Sequence, residues 1–189
     1  MVTVKNSHTL VALVQDKPGV LNRISGMFRR RGFNISSLAV GRSELPDLSR
    51  MTFVVEGDDA TVEQVTKQLY KLIDVVRVSD LSNEPIVARE MALIKVRATS
   101  QTRSEVMQIV DIFRANIIDV SPESLIIEVT GDEDKITSLN ELLKSFGVQE
   151  VMRTGRVAML RGAATQASPS NGTRRANTPQ HYQDYEAIL

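Results

Sequence analysis

The run Asp16-Lys17-Pro18-Gly19-Val20-Leu21 combines residue types and spacing suited to holding a small acid. It stands where the apolar run Leu10-Val11-Ala12-Leu13-Val14 stops and where Val20, Leu21, Ile24, Met27 and Phe28 begin to recur at helical spacing. The pattern reads as strand, turn, helix. A helix start leaves its first N–H groups without intrahelical acceptors and carries the positive end of the helix dipole. A carboxylate or phosphate gains about 0.3–1 kcal/mol there, and at most about 2. Pro18 suits the first helical turn, where a missing N–H costs nothing, and Gly19 lets backbone or ligand approach closely. The same residues also read as an ordinary helix start, since every helix has such an end.

Other chemistry finds little support. The chain has no cysteine, which removes disulfides, zinc-thiolate sites and thiol nucleophiles. Its two histidines, His8 and His181, would have to meet for a histidine pair to hold a metal. Asp58-Asp59 and Asp132-Glu133-Asp134 each follow a strand and precede a helix, where acidic residues cap the first turn. Gly-rich phosphate loops are missing, because Pro18-Gly19 stands alone. The reading therefore names no catalytic residue and no metal site. Lys plus Arg and Asp plus Glu both number 23, so no net field draws the chain to nucleic acid or an anionic membrane. Arg29-Arg30-Arg31 reads either as a patch for an acidic partner or as a solvated last turn complementing the helix dipole. The N-terminus lacks the apolar core of a signal peptide, and no apolar run approaches the roughly 18 residues of a membrane span. A cytoplasmic setting is expected, or the plastid stroma for a plastid-encoded chain.

Elements must hold these residues, and the apolar periodicity supplies them in a repeated order. Residues 8–16 form a strand apolar on both faces, hence covered on both. The helix from Pro18 ends near Gly32, which suits a left-handed cap. Strands over 34–42 and 49–56 flank the turn 43–47, a helix carries Val62, Val65, Leu69 and Leu72, and 75–81 is a fourth strand. After a linker at 82–87 the order repeats: strand 91–98, helix 103–114, strands 117–120 and 125–130, helix 132–146, and a last strand or hairpin arm over 148–160. The fold class is α+β, two ferredoxin-like (βαββαβ) domains in tandem over 7–82 and 88–162, with a flexible polar tail over 163–189. Open sheet faces of this kind need covering, so an oligomer is expected. RNA-recognition modules share the element order but stack bases on exposed aromatics of the central strands. Here aromatics are 4% of the chain and the third strand carries only Phe53, which argues against RNA.

The run from Asp16-Lys17-Pro18-Gly19-Val20-Leu21-Asn22-Arg23-Ile24 to Arg31-Gly32-Phe33-Asn34-Ile35-Ser36-Ser37-Leu38 resembles the ACT domain of the acetohydroxyacid synthase (acetolactate synthase) regulatory small subunit. Leu48-Ser49-Arg50-Met51-Thr52-Phe53, Leu72-Ile73-Asp74-Val75-Val76-Arg77-Val78, Arg89-Glu90-Met91-Ala92-Leu93-Ile94-Lys95-Val96 and Ile117-Ile118-Asp119-Val120 resemble the same family in the same order. The resemblance implies a non-catalytic subunit that activates a separate catalytic large subunit and confers feedback inhibition by a branched-chain amino acid, valine. Thiamine diphosphate, magnesium and FAD are then expected on the catalytic subunit and no cofactor on this chain. Homodimers through the ACT domains are implied, with the effector between the strand-to-helix loop of one chain and its neighbour. Asp16, Gly19, Val20 and Leu21 would line the loop side, and Asn34 and Ile35 would come from the helix end and second strand. Amides near Gly19 to Leu21 would take the carboxylate, and Asp16 or the Asn34 carbonyl oxygen the ammonium. Asn34 by type also suits a left-handed helix end. The corresponding turn of the second half, Thr99-Ser100-Gln101-Thr102-Arg103, lacks Pro-Gly and is not expected to bind an amino acid; that half is expected to dimerise or to contact the catalytic subunit.

Overall fold

The computed structural model describes residues 7–162. The tail expected over 163–189, and His181 with it, lie outside the described residues. Strand β1 (Ser7–Gln15) is interior to its sheet, and the two-faced apolar pattern has its reason there. Leu10, Ala12 and Val14 are buried on one face and Val11 on the other. With β2 (Ile35–Arg42), β3 (Leu48–Glu56) and β4 (Val75–Asp80) it forms a four-stranded sheet in the order β2-β3-β1-β4. Both β1 and β2 pair antiparallel to β3, so they run in the same direction and β2 is an edge.

Helices α1 (Val20–Arg31) and α2 (Asp59–Leu69) bury one stripe each. Ile24, Met27 and Phe28 of α1 join Val62, Val65 and Leu69 of α2 over Leu10, Met51, Phe53 and Val55 of the sheet. Phe28 stacks on Phe53 with ring centroids 5.5 Å apart. Burying a side chain of this size contributes about 1.5–3 kcal/mol, so this pair anchors α1 to the sheet. Phe53 is 0% exposed, which removes the one aromatic an RNA-binding sheet face would have used.

The second half repeats the order with β5 (Ile86–Arg97), α3 (Arg103–Ile112), β6 (Asn116–Val120), β7 (Ser124–Gly131), α4 (Glu133–Leu143) and β8 (Val148–Arg153). Its sheet runs β6-β7-β5-β8, and β9 (Val157–Leu160) also pairs with β5. Ile94, Val96, Leu125 and Ile127 face Val106, Val110, Ile136 and Leu139 in its core. One compact unit runs to Val87 and takes in the segment from Ala158, and the other is Ala88–Val157. The chain is thus α+β, with two βαββαβ arrangements in tandem.

Four expectations change. Pro18 lies before α1 rather than in its first turn, because Gly19 at φ 87° has a left-handed backbone that cannot belong to the helix. Strand β5 begins at Ile86, inside the expected linker. The Arg161 amide donates to the Pro85 carbonyl at 2.8 Å there, so the incoming β9 side extends the strand. Helix α3 stops at Ile112, ahead of Arg114 at φ 50°. The final arm over 148–160 divides into β8 and β9 at a bend containing Gly155 at φ 84°.

Candidate functional site

The turn between β1 and α1 is held by its main chain. Gln15 N–H donates to the Asp74 carbonyl at 2.9 Å, Asp16 N–H to the Asp47 carbonyl at 2.8 Å, and Arg23 N–H to the Gly19 carbonyl at 3.0 Å. Gly19 is the N-cap residue of α1, at φ 87° and ψ −8°, and no side chain caps the helix. The amides of Leu21 and Asn22 find no acceptor among the described residues. Val20 is buried and ties the first turn to the core, whereas Leu21 is exposed beside it.

Helices α2 and α4 start under an aspartate cap, whereas α3, like α1, has no side-chain cap. Asp58 accepts from the Thr61 amide at 2.8 Å and from the Thr61 hydroxyl at 2.6 Å, and these bonds hold its carboxyl below the ordinary value of 3.8. Asp132 accepts from the Lys135 amide at 2.9 Å. Both aspartates therefore cap helices, as their placement in the sequence indicates. At the start of α3 the Arg103 Nη2 group donates to the carbonyls of Ala98, Ser121 and Pro122 at 3.1, 2.6 and 2.7 Å. An arginine thus fills the turn of the second half that corresponds to the β1–α1 turn. Only α1 keeps open amides behind a left-handed glycine among the described helices, and it has no acidic residue in its first turn.

An open depression beside this turn is lined by Asp16, Arg42, Glu44, Leu45 and Asp47. The Arg42 Nε atom is 4.0 Å from Asp16 Oδ2. An acceptor for an ammonium and donors for a carboxylate therefore stand together at one end of the sheet. Asn34 and Ile35 stand at the other end. Ile35 and His8 both pair with Val55, while Gln15 pairs with Leu48. The strand between His8 and Gln15 spans about 23 Å at roughly 3.3 Å per residue. One chain brings Asp16, Gly19, Val20 and Leu21 together and keeps Asn34 and Ile35 apart from them. Asn34 does not take the left-handed helix-end conformation, which Gly32 holds at φ 69°.

His8 is buried, with Nδ1 3.2 Å from Ser82 Oγ and Nε2 3.1 Å from the Gly57 carbonyl oxygen, at the end of β1 away from the turn. Among the described residues no group of three or more His, Asp or Glu side chains could hold a metal ion. Sequence reasoning missed Arg23, Asp74 and Arg42, all close to the turn. Arg23 carries a local signal, one helical turn beyond Gly19; Asp74 is 51 residues from Arg23 and carries none.

Residues 10–77 match the family described as the AHAS small subunit-like ACT domain, and residues 89–162 match the one described as the small subunit of acetolactate synthase. The probable acetolactate synthase small subunit of Archaeoglobus fulgidus is 57% identical over 155 residues, covering 82% of this chain and 97% of that one. The chain belongs to the acetolactate synthase small-subunit family. The acetolactate synthase small subunit of Mycobacterium bovis is 53% identical over 156 residues, with 82% of this chain and 93% of that one covered. The crystal structure of the acetolactate synthase small subunit from Thermotoga maritima superimposes with a TM-score of 0.78 at 50% identity, over 82% of this chain and 98% of that one. The N-terminal half is accordingly the ACT domain of a regulatory small subunit. No helix among the described residues is long and apolar enough to cross a membrane.

Proposed function

We propose that the chain activates a thiamine-diphosphate-dependent acetolactate synthase catalytic subunit and makes it sensitive to valine, with residues 7–82 binding the effector. The observation that carries this reading is the open start of α1 behind left-handed Gly19, in an ACT domain of this family. Free amides at Leu21 and Asn22 and the helix dipole favour the carboxylate of an amino acid. Asp16 takes its ammonium, and exposed Leu21 supplies apolar surface for the side chain above the buried Val20. Catalysis, and with it thiamine diphosphate, magnesium and FAD, resides on the catalytic subunit, in the cytoplasm.

Asn34 and Ile35 reach the effector only from a second copy. Edge strand β2 offers the route, since it borders only β3 in the sheet order β2-β3-β1-β4 and the free edge of a sheet is a template for pairing with another chain. Two β2 strands pairing antiparallel about their middle set the Ile35 end of one beside the Arg42 end of the other. Arg42 is the neighbour of Asp16, so the second copy's Asn34 carbonyl arrives where the ammonium lies. Residues 88–162 form the second domain; its turn, filled by Arg103, binds no amino acid and that domain serves self-association or the catalytic subunit.

One methylene separates valine from leucine and isoleucine, worth about 0.8 kcal/mol or roughly fourfold in affinity, so the three compete for the site. Inhibition is a coupling free energy of about 1–3 kcal/mol between this site and the active site, and it is reciprocal in binding. Calorimetric titration of the chain, alone and with the catalytic subunit, with valine, leucine, isoleucine and serine tests the reading. Saturable binding of valine at no more than one site per chain, absent with serine, is expected. No heat from any of the branched-chain amino acids in either state overturns it.

A further inference from the structure

We infer that the ion pair between Arg23 and Asp74 holds the β1–α1 turn in its ligand-ready shape, a positioning role that rests on the reading of that turn as the effector site. Asp74 is buried, with its side chain 8% exposed, and its carboxylate takes the Arg23 Nη1 group as a hydrogen-bonded partner. The same residue accepts the Gln15 amide on its carbonyl oxygen, at the point where β1 ends. Arg23 closes the other side, because its own amide donates to the Gly19 carbonyl. Gln15, Asp74, Arg23 and Gly19 therefore form a closed circuit of bonds around Asp16, Lys17 and Pro18. Within that circuit the turn has a left-handed glycine and no side-chain cap, so the circuit supplies the restraint that a capping side chain would otherwise give.

The pair also has an electrostatic part. Asp74 places a buried negative charge beside the turn whose first helical amides are to receive a carboxylate, and Arg23 neutralises it. Removing Arg23 alone releases the turn and leaves the carboxylate unpaired. Removing both charges releases the turn only. The two variants separate restraint from charge.

The test uses the full chain. Valine is titrated calorimetrically into the native protein, Arg23→Met, Arg23→Lys, Asp74→Asn and the Arg23→Met/Asp74→Asn double variant, with amide hydrogen exchange and thermal unfolding on each. Arg23→Met is expected to weaken valine about tenfold. Arg23→Lys should recover most of the affinity, and the double variant should bind more tightly than Arg23→Met. Exchange at the Gln15 and Arg23 amides should speed up in Arg23→Met while the β1 ladder from Leu10 to Val14 stays protected. Unchanged valine affinity with a lowered unfolding temperature makes the pair merely structural and overturns the inference. If the native protein itself takes no valine, the effector reading fails separately, and exchange alone decides: unaltered Gln15 and Arg23 amides overturn the positioning role as well.

Discussion

Gly19→Asp places a charge where the effector carboxylate is expected, and the structure allows its size to be worked out. A Cβ at Gly19 meets no atom within 4 Å, so the substitution has room. Its φ of 87° strains an L residue by about 1–2 kcal/mol, least for Asn and Asp, whose short polar side chains tolerate the left-handed region. Charge is the larger effect on binding. At about 5 Å and an effective dielectric of about 20, two carboxylates repel by about 3 kcal/mol. Solvent at this exposed turn reduces the figure to about 2 kcal/mol, a weakening of about 30-fold. Gly19→Asn has nearly the same shape and backbone preference without the charge, and should lose no more than about threefold, or ~0.7 kcal/mol. Calorimetric titration with valine reads both, and inhibition of the reconstituted synthase should be lost in Gly19→Asp with activation retained. Equal losses in the Asp and Asn variants would show that backbone strain rather than charge governs the site. Unchanged binding in both would remove the turn from it.

Arg103→Ala removes the donor to three main-chain carbonyls and should destabilise the chain by about 1–3 kcal/mol, seen as a lower urea midpoint; an unmoved midpoint refutes the clamp. Asp58 has its carboxyl held below 3.8 in the folded chain by Thr61. Its contribution to stability is therefore full above the unfolded value and is lost as pH falls through the folded one. Asp58→Asn should flatten that acid limb in unfolding experiments run at several pH values, and an identical limb in both proteins would discount the cap. Deleting residues 163–189 should leave the unfolding transition and the valine response as they are; loss of catalytic-subunit binding in the truncated chain would assign the tail a function.

Local patterns made much of the fold legible. The stripe Val20, Ile24, Met27 and Phe28 is buried as its spacing requires, and Asp58 and Asp132 cap α2 and α4 because capping reaches only three residues along the chain. The start of β5 was hidden by Glu90, an inward-facing charge where alternation calls for an apolar residue. It is 7% exposed and lies 3.8 Å from Arg153 Nη1, so a cross-strand ion pair takes the place of hydrophobic contact. The candidate site divides in the same way. Asp16 to Leu21 are contiguous and could be read directly, while the Arg23–Asp74 and Asp16–Arg42 contacts join residues far apart in sequence and emerge only when three strands converge at one end of the sheet.

The 23 Å of strand between the Gly19 turn and the Asn34 end has a consequence in mass action. In the proposed arrangement a ligand that touches both ends binds two chains as one unit, so its saturation and the self-association of the protein are a single linked equilibrium. Dilution below the dimer's dissociation constant lowers the apparent affinity even though every contact in the occupied site is unchanged. Added effector in turn draws monomers into pairs. The response threshold of such a sensor is then set partly by how much of the subunit is present, and a titration at one protein concentration reports only one point on that surface.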